Sequence, residues 1–351
     1  MTQLNFACDY MQGCVPEVLQ RLMETNMEAT PGYGEDVYSE SARNKIRKAC
    51  GKENAEVRFL VGGTQANATV INALLRNYQG VIALPTGHIA VHEAGAIESG
   101  GHKVLCVEGK DGKLPASAVE NYMDTFLHDD TYPHMVQPGM VYISQPSEFG
   151  TLYSKAELEA LHDVCQKYNL FLYVDGARLA YALGSEENDV DLKDLAALSD
   201  AFYIGGTKCG TLFGEAVVVP NPQLIPYFFT TIKQNGALLA KGRLLGIQFD
   251  EMFTNDLYYK VGKKAVEFSK KIDAALKEFG YEMVLPTQTN QIFVNFKDSA
   301  LKEIQKVVST NFWEKTDENH TLIRLATSWA TREDEVNQLI DVLRQNQPNT
   351  K

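Results

Sequence analysis

The chain has 351 residues, of which 44% are apolar, and these values are sufficient for a large core that extends beyond one ordinary domain. Its 33 basic and 45 acidic residues give a formal charge of −12, which disfavours binding to nucleic acid or to an anionic membrane surface. The six cysteines form no Cys-x-x-Cys pair and the seven histidines no metal-binding motif, so neither a disulfide framework nor a metal site is predicted.

The N-terminal sequence lacks a basic region followed by an apolar core, and no apolar run reaches the roughly 18 residues that a membrane span needs. The isolated cysteines are typical of small buried residues in a reducing compartment. We therefore expect a cytoplasmic protein.

The first part of the chain predicts an extended segment, a helix and an irregular stretch. Residues 5–10 are typical of an extended segment, and the apolar spacing that follows Pro16 predicts a helix. Residues 31–38 hold too many turn formers to continue as a helix. Tyr38, at the end of this stretch, either covers a ligand or fills a groove.

The next helix is predicted over residues 39–50, because their apolar side chains recur at helical spacing. Ser39 or Ser41 would cap its N-terminus, and Gly51 would end it.

A candidate phosphate site follows this helix. Residues 57–61 predict a strand and residues 66–75 a helix, with Gly63, Thr64 and Gln65 in the turn between them. Free N–H groups and the positive end of the helix dipole meet at such a turn, which suits a phosphate. The turn lacks the features of a Walker loop or a dinucleotide fingerprint, so the alternatives are another kind of phosphate seat or a plain turn.

His88 follows the strand predicted over residues 81–84, and residues 89–99 have helical spacing. An imidazole at a strand tip either lies flat on a cofactor ring and moves protons or has a merely structural role. Residues 103–107 and 141–145 predict further strands.

The chain is organised around two residues that end neighbouring strands, Asp175 and Lys208. A helix is predicted over residues 155–168, and the apolar strand 171–174 then stops at Asp175. A second apolar strand, 201–204, ends in a glycine-flanked turn that contains Lys208. Alternating strands and helices predict a mainly parallel sheet, in which residues that follow the strands meet at one edge.

An acid and an amine at one edge of a sheet suit the cofactor pyridoxal 5'-phosphate (PLP). The amine of Lys208 can form a Schiff base with the cofactor aldehyde, and the carboxylate of Asp175 can hold the pyridine nitrogen protonated. Thr207 adds a hydroxyl directly before the lysine. Alone, each residue is more typical of a turn or a loop, but together they favour the cofactor site.

Beyond Lys208 a strand is predicted over residues 215–220, and residues 224–250 combine helix with a stretch rich in glycine and basic residues. Lys241 in this stretch either presents a cation to a phosphate, in the same or a neighbouring subunit, or faces solvent.

The remaining residues predict one long helix and then a compact unit of strands and helices. Its strands are expected over residues 281–285, 291–296 and 322–327, and its last helix over residues 332–344. Arg324 interrupts an apolar strand, where it either forms an internal ion pair or binds a substrate carboxylate. We expect a large PLP-binding domain, residues 1–250, with segment 1–38 near the active site, and a small C-terminal domain, residues 251–351.

Several motifs resemble, in order and spacing, those of the low-specificity threonine aldolases, a family of fold-type-I PLP enzymes in the β-eliminating lyase and aldolase group. The shared segments are Asp9, residues 34–38, residues 63–67, His88, residues 174–178, Thr207-Lys208 and residues 323–327. The resemblance implies an α/β fold of the fold-type-I transferase-like class, with a large domain around a mostly parallel sheet and a smaller α+β domain. It also implies a homotetramer, a dimer of dimers with shared active sites.

The resemblance further implies the roles of site residues. The expected cofactor-binding residues are Gly63, Thr64, Gln65, His88, Asp175, Arg178, Thr207, Lys208 and Lys241. The expected substrate-binding residues are Cys8, Tyr38 and Arg324. Lys208, His88 and Asp175 are the expected catalytic residues. Among these, Arg178 would lie at the ring hydroxyl of PLP, His88 would stack on the ring, and Arg324 would bind the carboxylate of an amino-acid substrate.

Some positions depart from the pattern of this family. Cys8 replaces a serine that touches the substrate, and Ala7 replaces an arginine. Residues 145–148 replace an Asn-Thr-His loop, so a histidine that assists recognition of the β-hydroxyl group is missing. The positions that bind the cofactor match the family better than those that bind the substrate.

Three functions are therefore open. The first is PLP-dependent retro-aldol cleavage of L-threonine, L-allo-threonine or a related β-hydroxy-α-amino acid to glycine and an aldehyde. The second is a PLP-dependent β-eliminating amino-acid lyase. The third is a non-catalytic binding protein that has kept the fold.

Overall fold

The computed structural model describes residues 3–348, which contain thirteen strands and fourteen α-helices. The strands are β1 (Leu4–Asn5), β2 (Glu56–Leu60), β3 (Gln79–Ala83), β4 (Val104–Cys106), β5 (Gln137–Ser144), β6 (Phe171–Asp175), β7 (Ala201–Gly205), β8 (Glu215–Val219), β9 (Glu282–Met283), β10 (Gln291–Lys297), β11 (Val308–Ser309), β12 (Asn311–Lys315) and β13 (His320–Ala326). The helices are α1 (Pro16–Thr25), α2 (Val37–Cys50), α3 (Gly63–Leu74), α4 (His88–Val91), α5 (Ala96–Ser99), α6 (Ala116–His128), α7 (Lys155–Tyr168), α8 (Leu179–Leu183), α9 (Leu192–Leu198), α10 (Phe228–Gln234), α11 (Arg243–Met252), α12 (Leu257–Glu278), α13 (Asp298–Ile304) and α14 (Glu333–Gln345).

The central sheet has seven strands in the order β2-β8-β7-β6-β5-β3-β4. Strands β3 to β7 run parallel to one another, and β8 is antiparallel to both β7 and β2. This is the mostly parallel α/β sheet that the sequence predicts. Because β6 and β7 are parallel neighbours, the residues that follow them, near Asp175 and Lys208, lie at the same edge.

Side chains alternate between two cores on the faces of this sheet. Leu172 and Val174 of β6 lie in one apolar cluster, and Tyr173 lies in the other, beside α3. Since strand side chains point to opposite faces in turn, Asp175 projects to the same face as Tyr173. The strand pattern therefore directs the carboxylate toward the N-terminal part of α3.

A second sheet, antiparallel and in the order β12-β13-β10-β9, has its own apolar core with α12 and α14. Strand β1 pairs in parallel with β11, and Phe6 is 1% exposed within this core. The N-terminal segment is thereby tied to the C-terminal sheet. The domain division at residue 250 stays a prediction, and residues 1–2 and 349–351 of those domains lie outside the described residues.

Two local predictions were wrong, and some elements were not predicted at all. Helix α2 begins at Val37, because the side chain of Asp36 accepts a hydrogen bond from the Ser39 N–H at 2.8 Å, so neither Ser39 nor Ser41 is the cap. The helix predicted over residues 89–99 is two short helices, α4 and α5. They are separated at Ala94 and Gly95, whose φ angles are 51° and 72°. Helices α6, α8 and α9 and strands β11 and β12 were not predicted.

Among residues 3–348, no helix combines the length and the apolar content needed to cross a bilayer.

Candidate active site

Asp175 ends β6 and is held by four hydrogen bonds. Its Oδ1 accepts from the Ala177 N–H at 2.9 Å and from the Tyr203 hydroxyl at 2.5 Å. Its Oδ2 accepts from the Tyr142 hydroxyl at 2.7 Å and from the Asn67 amide at 3.0 Å. Burial, followed by the charge of Asp175, raises the pKa of both tyrosines well above the ordinary value, so they stay donors. The carboxylate is consequently fixed in one orientation.

Lys208 lies in the turn that follows β7, and side chains from two directions hold this turn. Glu215 of β8 accepts from the Gly206 N–H at 3.0 Å and from the Thr207 hydroxyl at 2.8 Å. The hydroxyl of Tyr181 donates to the carbonyl of Lys208 at 2.5 Å. The backbone that carries the amine is therefore fixed on both sides of the lysine.

The side-chain amine of Lys208 forms no hydrogen bond or ion pair within the described part of the chain. Burial and the nearby charge of Arg178 lower its pKa, although Asp9 and Asp175 oppose this effect. A lowered pKa increases the fraction of neutral amine, which is the nucleophilic form that attacks an aldehyde.

The N-terminus of α3 forms a seat for an anion. The side chain of Gln65 closes the turn before it by accepting from the Val61 N–H at 3.0 Å. The first N–H groups of the helix have no partner within the helix, and Gly63 and Thr64 line the cleft. A Cβ atom at Gly63 would lie only 3.0 Å from the Tyr203 hydroxyl, so a larger residue would press on the hydroxyl that holds Asp175. Such a helix start suits a phosphate group.

Arg178 and Asp9 form a buried bidentate ion pair, with N–O distances of 2.6 and 2.9 Å. The amide of Asn290 also donates to Asp9, at 2.9 Å. Burial raises the pKa of Asp9, but the charge and hydrogen bonds of Arg178 outweigh this and hold the value at about 2. The ion pair fixes Arg178 in the wall of the cleft.

Arg324 of β13 has no carboxylate partner within the described residues. Two of its nitrogens donate to the Gln291 side chain at 3.1 Å and to the Ala7 carbonyl at 3.3 Å, and its Nε is buried without a partner there. Burial, followed by the charge of Arg178, lowers the pKa of Arg324 to about 10. The internal ion pair that the sequence left open is not formed, and an unpaired guanidinium suits a carboxylate ligand.

His88 begins α4 and is connected to Asp175 by a chain of hydrogen bonds. Its Nδ1 lies 2.7 Å from an oxygen of Glu93, which is buried. The amide of Asn67 donates to the same oxygen at 2.7 Å and to Asp175 at 3.0 Å. A carboxylate at Nδ1 orients the ring with Nδ1 as donor and leaves Nε2 for a partner in the cleft.

These residues surround one cleft with two compartments. The first has a volume of about 290 Å³ and contains Asp175 and the start of α3, and the second has a volume of about 430 Å³ and contains Arg324 and Trp313. The side chains common to both compartments are Tyr10, His88, Glu148, Arg178 and Lys208. We refer to these two parts as the inner and the outer compartment.

The inner compartment fits PLP. Lys208 supplies an amine for the cofactor aldehyde, Asp175 a fixed carboxylate for the pyridine nitrogen, and the α3 N-terminus a seat for the phosphate. No group of three or more His, Cys, Asp or Glu side chains among residues 3–348 is arranged to hold a metal ion.

Most of the predicted site residues line the cleft. These are Gly63, Thr64, His88, Asp175, Arg178, Thr207, Lys208 and Arg324. Gln65 closes the turn instead, and Cys8 is half-buried next to Asp9. Tyr38 does not reach the cleft of its own chain, because α2 directs its hydroxyl to Glu28, and Lys241 is exposed in the loop before α11.

Sequence reasoning assigned no role to several polar residues of the site. These are Tyr10, Asn67, Glu93, Tyr142, Glu148, Tyr203 and Glu215. Two signals in the sequence pointed to three of them. Tyr142 and Tyr203 alternate onto the sheet face that carries Asp175, and Glu215 is a charged residue at the start of an apolar strand. Burial raises the pKa of Glu215 to about 8.

The fold and the cleft together define a PLP-dependent enzyme of fold type I. The structure of an aspartate aminotransferase from Thermus thermophilus, 15% identical, has the same fold, with a TM-score of 0.71 over 98% of this chain and 91% of that one. The profile of the family described as Beta-eliminating lyase matches residues 5–299. The chain therefore belongs to the beta-eliminating lyase family and is a lyase.

Two relatives are similar over most of their length. A low-specificity L-threonine aldolase from a Pseudomonas species is 30% identical over 86% of this chain and 86% of its own. The structure of a threonine aldolase from Leishmania major is 39% identical and superimposes with a TM-score of 0.94 over 97% of this chain and 98% of that one.

Proposed function

We propose that this lyase cleaves L-threonine, L-allo-threonine or a related β-hydroxy-α-amino acid to glycine and an aldehyde, with PLP as its cofactor. The observation that carries the proposal is the shared cleft. It combines a free amine and a fixed carboxylate in the inner compartment with the unpaired Arg324 in the outer one. The names of the two relatives support the choice of this reaction within the family.

Each group in the cleft has a proposed task. Lys208, Asp175 and the α3 N-terminus would hold PLP, which when bound supplies an electron sink for the electrons of the bond that breaks. Arg324 would bind the α-carboxylate of the substrate. With the amino end held near Lys208 and the carboxylate at Arg324, one orientation of the Cα–Cβ bond is selected. His88 would stack on the cofactor ring, oriented by Glu93.

We also propose a homotetramer, a dimer of dimers, in which Tyr38 and Lys241 contribute to the cleft of a neighbouring subunit. Their position outside the cleft of their own chain supports this assignment. A cytoplasmic location is part of the same proposal, and it is supported by the six cysteines, which are all free.

A product assay tests the proposed reaction. The purified protein, loaded with PLP, is incubated with L-threonine, L-allo-threonine and a β-substituted amino acid that can only eliminate. Glycine and acetaldehyde from the first two substrates would support the proposal. Pyruvate and ammonia from the third substrate alone would indicate a β-eliminating lyase, and no product from any substrate would indicate a binding protein.

Lys208→Ala tests the role of the amine. We expect the visible band of the bound cofactor to lose its sensitivity to borohydride and turnover to fall by more than about 10³-fold, because the covalent link is lost. Lys264→Ala, which removes an exposed lysine of α12, is the matched control. Borohydride trapping of the cofactor in Lys208→Ala would assign the link to another lysine.

A further inference from the structure

Glu148 lies where the inner and outer compartments meet, in the segment that follows β5. Its Oε1 accepts from the Ser144 hydroxyl at 2.8 Å and from the His88 backbone N–H at 2.9 Å. Its Oε2 accepts no hydrogen bond from any other residue among residues 3–348. One oxygen is therefore anchored and the other is free to meet a ligand.

Glu93 also has an oxygen without a partner among the described residues, but that oxygen is buried and Glu93 lines neither compartment. Three further carboxylates of the site are already engaged through both oxygens. Asp9 is held by Arg178, Asp175 accepts four hydrogen bonds, and both oxygens of Glu215 accept from the turn that carries Lys208. Glu148 is distinguished from these three by its free oxygen.

We propose that Glu148 is the proton acceptor for the β-hydroxyl group of the substrate. This inference rests on the proposed retro-aldol function and deepens it by naming the base. Residues 145–148 lack the histidine that the family resemblance would place there for the β-hydroxyl group. The location of Glu148 supports the inference. Lys208 and Glu148 line both compartments and Arg324 lines the outer one, so a substrate held between Lys208 and Arg324 would pass beside Glu148.

In the proposed step the O–H bond of the β-hydroxyl group breaks, and its proton moves to Oε2 of Glu148. The electrons of that bond form the second bond of the aldehyde C=O group while the Cα–Cβ bond breaks. The electron pair of the broken bond is left at Cα, which gains a proton to give glycine. One proton is taken up and one is given back, so neither an oxidant nor a reductant is needed.

The environment of Glu148 suits a base. Burial raises its pKa, and the charge of Asp175 adds to this effect, while the hydrogen bonds from Ser144 and the His88 N–H oppose it. A carboxylate with a raised pKa accepts a proton more readily than an ordinary carboxylate.

Other titratable and charged groups face the same cleft from each neighbouring element. They are Tyr10, His88, His92, Arg178, Lys208 and Arg324. The ring of His88 is bound to Glu93 through Nδ1. His92 lines only the outer compartment. Burial, together with the charge of His88, lowers its pKa and so favours the neutral ring, which can accept a proton. His92 is therefore the competing proton acceptor.

Glu148→Gln tests the proposal, since the amide keeps an oxygen for the Ser144 and His88 donors but cannot accept the proton. In the PLP-loaded enzyme we expect kcat for L-threonine to fall by about 10²-fold or more, with KM changed by less than about threefold. The visible band and its change on addition of glycine should persist. Glu267→Gln, an exposed glutamate of α12, is the control.

Exchange of the glycine α-hydrogen in deuterated water separates the β-hydroxyl step from the rest of the chemistry, because glycine has no β-hydroxyl group. We expect Glu148→Gln to retain this exchange while losing cleavage of L-threonine. Glu148→Asp, which keeps the acid on a shorter side chain, should recover part of the lost kcat.

Stability of the cofactor-free protein gives a readout that is independent of activity. Because the pKa of Glu148 is raised, the folded state binds more protons than the unfolded state above pH 4.5, so the wild type should lose stability as pH rises. Glu148→Gln should show a smaller loss in urea unfolding as pH rises above about 4.5.

The outcomes that would overturn the inference are distinct. A kcat for Glu148→Gln within about threefold of the wild type, or a larger loss in His92→Asn than in Glu148→Gln, would assign the proton to another group. A wild type that cleaves no β-hydroxy amino acid would overturn the proposed function and this inference together.

Discussion

Two arginines in one cleft show how the surroundings of a side chain decide its use. Arg178 is neutralised by Asp9, whereas Arg324 has no carboxylate within the described residues and one buried donor without a partner there. The charge of Arg178 also lowers the pKa of Arg324. The paired guanidinium is therefore a fixed part of the cleft wall, and the unpaired one gains most from a bound carboxylate.

Asp9→Asn should destabilise the cofactor-free protein by about 3 kcal/mol near neutral pH, because Arg178 would keep a buried charge without its counterion. The pKa of Asp9 is about 2 in the folded protein against an ordinary value of 3.8. Its contribution is therefore present above about pH 4 and is lost as pH falls toward about 2.

Urea unfolding at several pH values checks this prediction. The difference between the wild type and Asp9→Asn should shrink across that acid range, whereas Asp130→Asn, at an exposed position, should change stability little at any pH. A difference that stays constant down to about pH 2 would contradict the assignment of the shift to this ion pair.

At the scale of single elements, helix α7 shows how local end signals make a helix predictable from sequence. Helix α7 has the bounds expected from sequence, since Ser154 and Glu157 form a capping box before it and Asn169 ends it in the left-handed region. Helix α6 was missed, and its N-cap position, Pro115, makes no side-chain capping hydrogen bond. Capping chemistry is local, so it can be read without the fold.

Asp36→Ala tests the corrected start of α2. We expect a loss of about 1 to 2 kcal/mol in the free energy of unfolding, because the Ser39 N–H would lose its acceptor at a buried helix end. Asp36→Asn keeps a capping oxygen, so its free energy of unfolding should fall by only about a few tenths of a kcal/mol. Equal losses in the two variants, measured by urea unfolding, would show that the cap does not account for the effect.

At the scale of the whole molecule, the cleft joins two sheets, and the surface near Lys241 carries exposed apolar side chains. The inner compartment is built on the central sheet, whereas Arg324 comes from the C-terminal sheet. Met23 of α1 and Met27 just beyond it are 66% and 91% exposed, and Leu244 of α11 is 38% exposed. Exposed apolar residues near the loop of Lys241 are typical of a subunit interface, which supports the proposed assembly.

Subunit mixing tests whether active sites are shared. Lys208→Ala and Lys241→Ala should each be impaired as homomers. When the two are co-expressed, a mixed dimer has one site with both lysines intact, so about a quarter of all sites should regain activity. Sedimentation of the purified mixture checks that mixed oligomers form. Mixed oligomers without recovered activity would place Lys241 outside the neighbouring cleft.

The sequence by itself determined the class of fold and the central pair of residues. Asp175 and Lys208 were predictable because apolar strands end abruptly before them, and parallel strands bring their carboxyl ends to one edge. The phosphate turn before α3 was predictable for the same local reason, since glycines between a strand and a helix leave free N–H groups.

Only the tertiary structure decided which polar groups are paired and which are free. Asp9 and Arg178 are 169 residues apart in sequence, so no local pattern indicates that Asp9 pairs with this arginine and leaves Arg324 unpaired. The free oxygen of Glu148 likewise depends on the contact between the segment after β5 and the start of α4. Local patterns set where a strand or helix ends, whereas burial and charge pairing arise from contacts between distant segments.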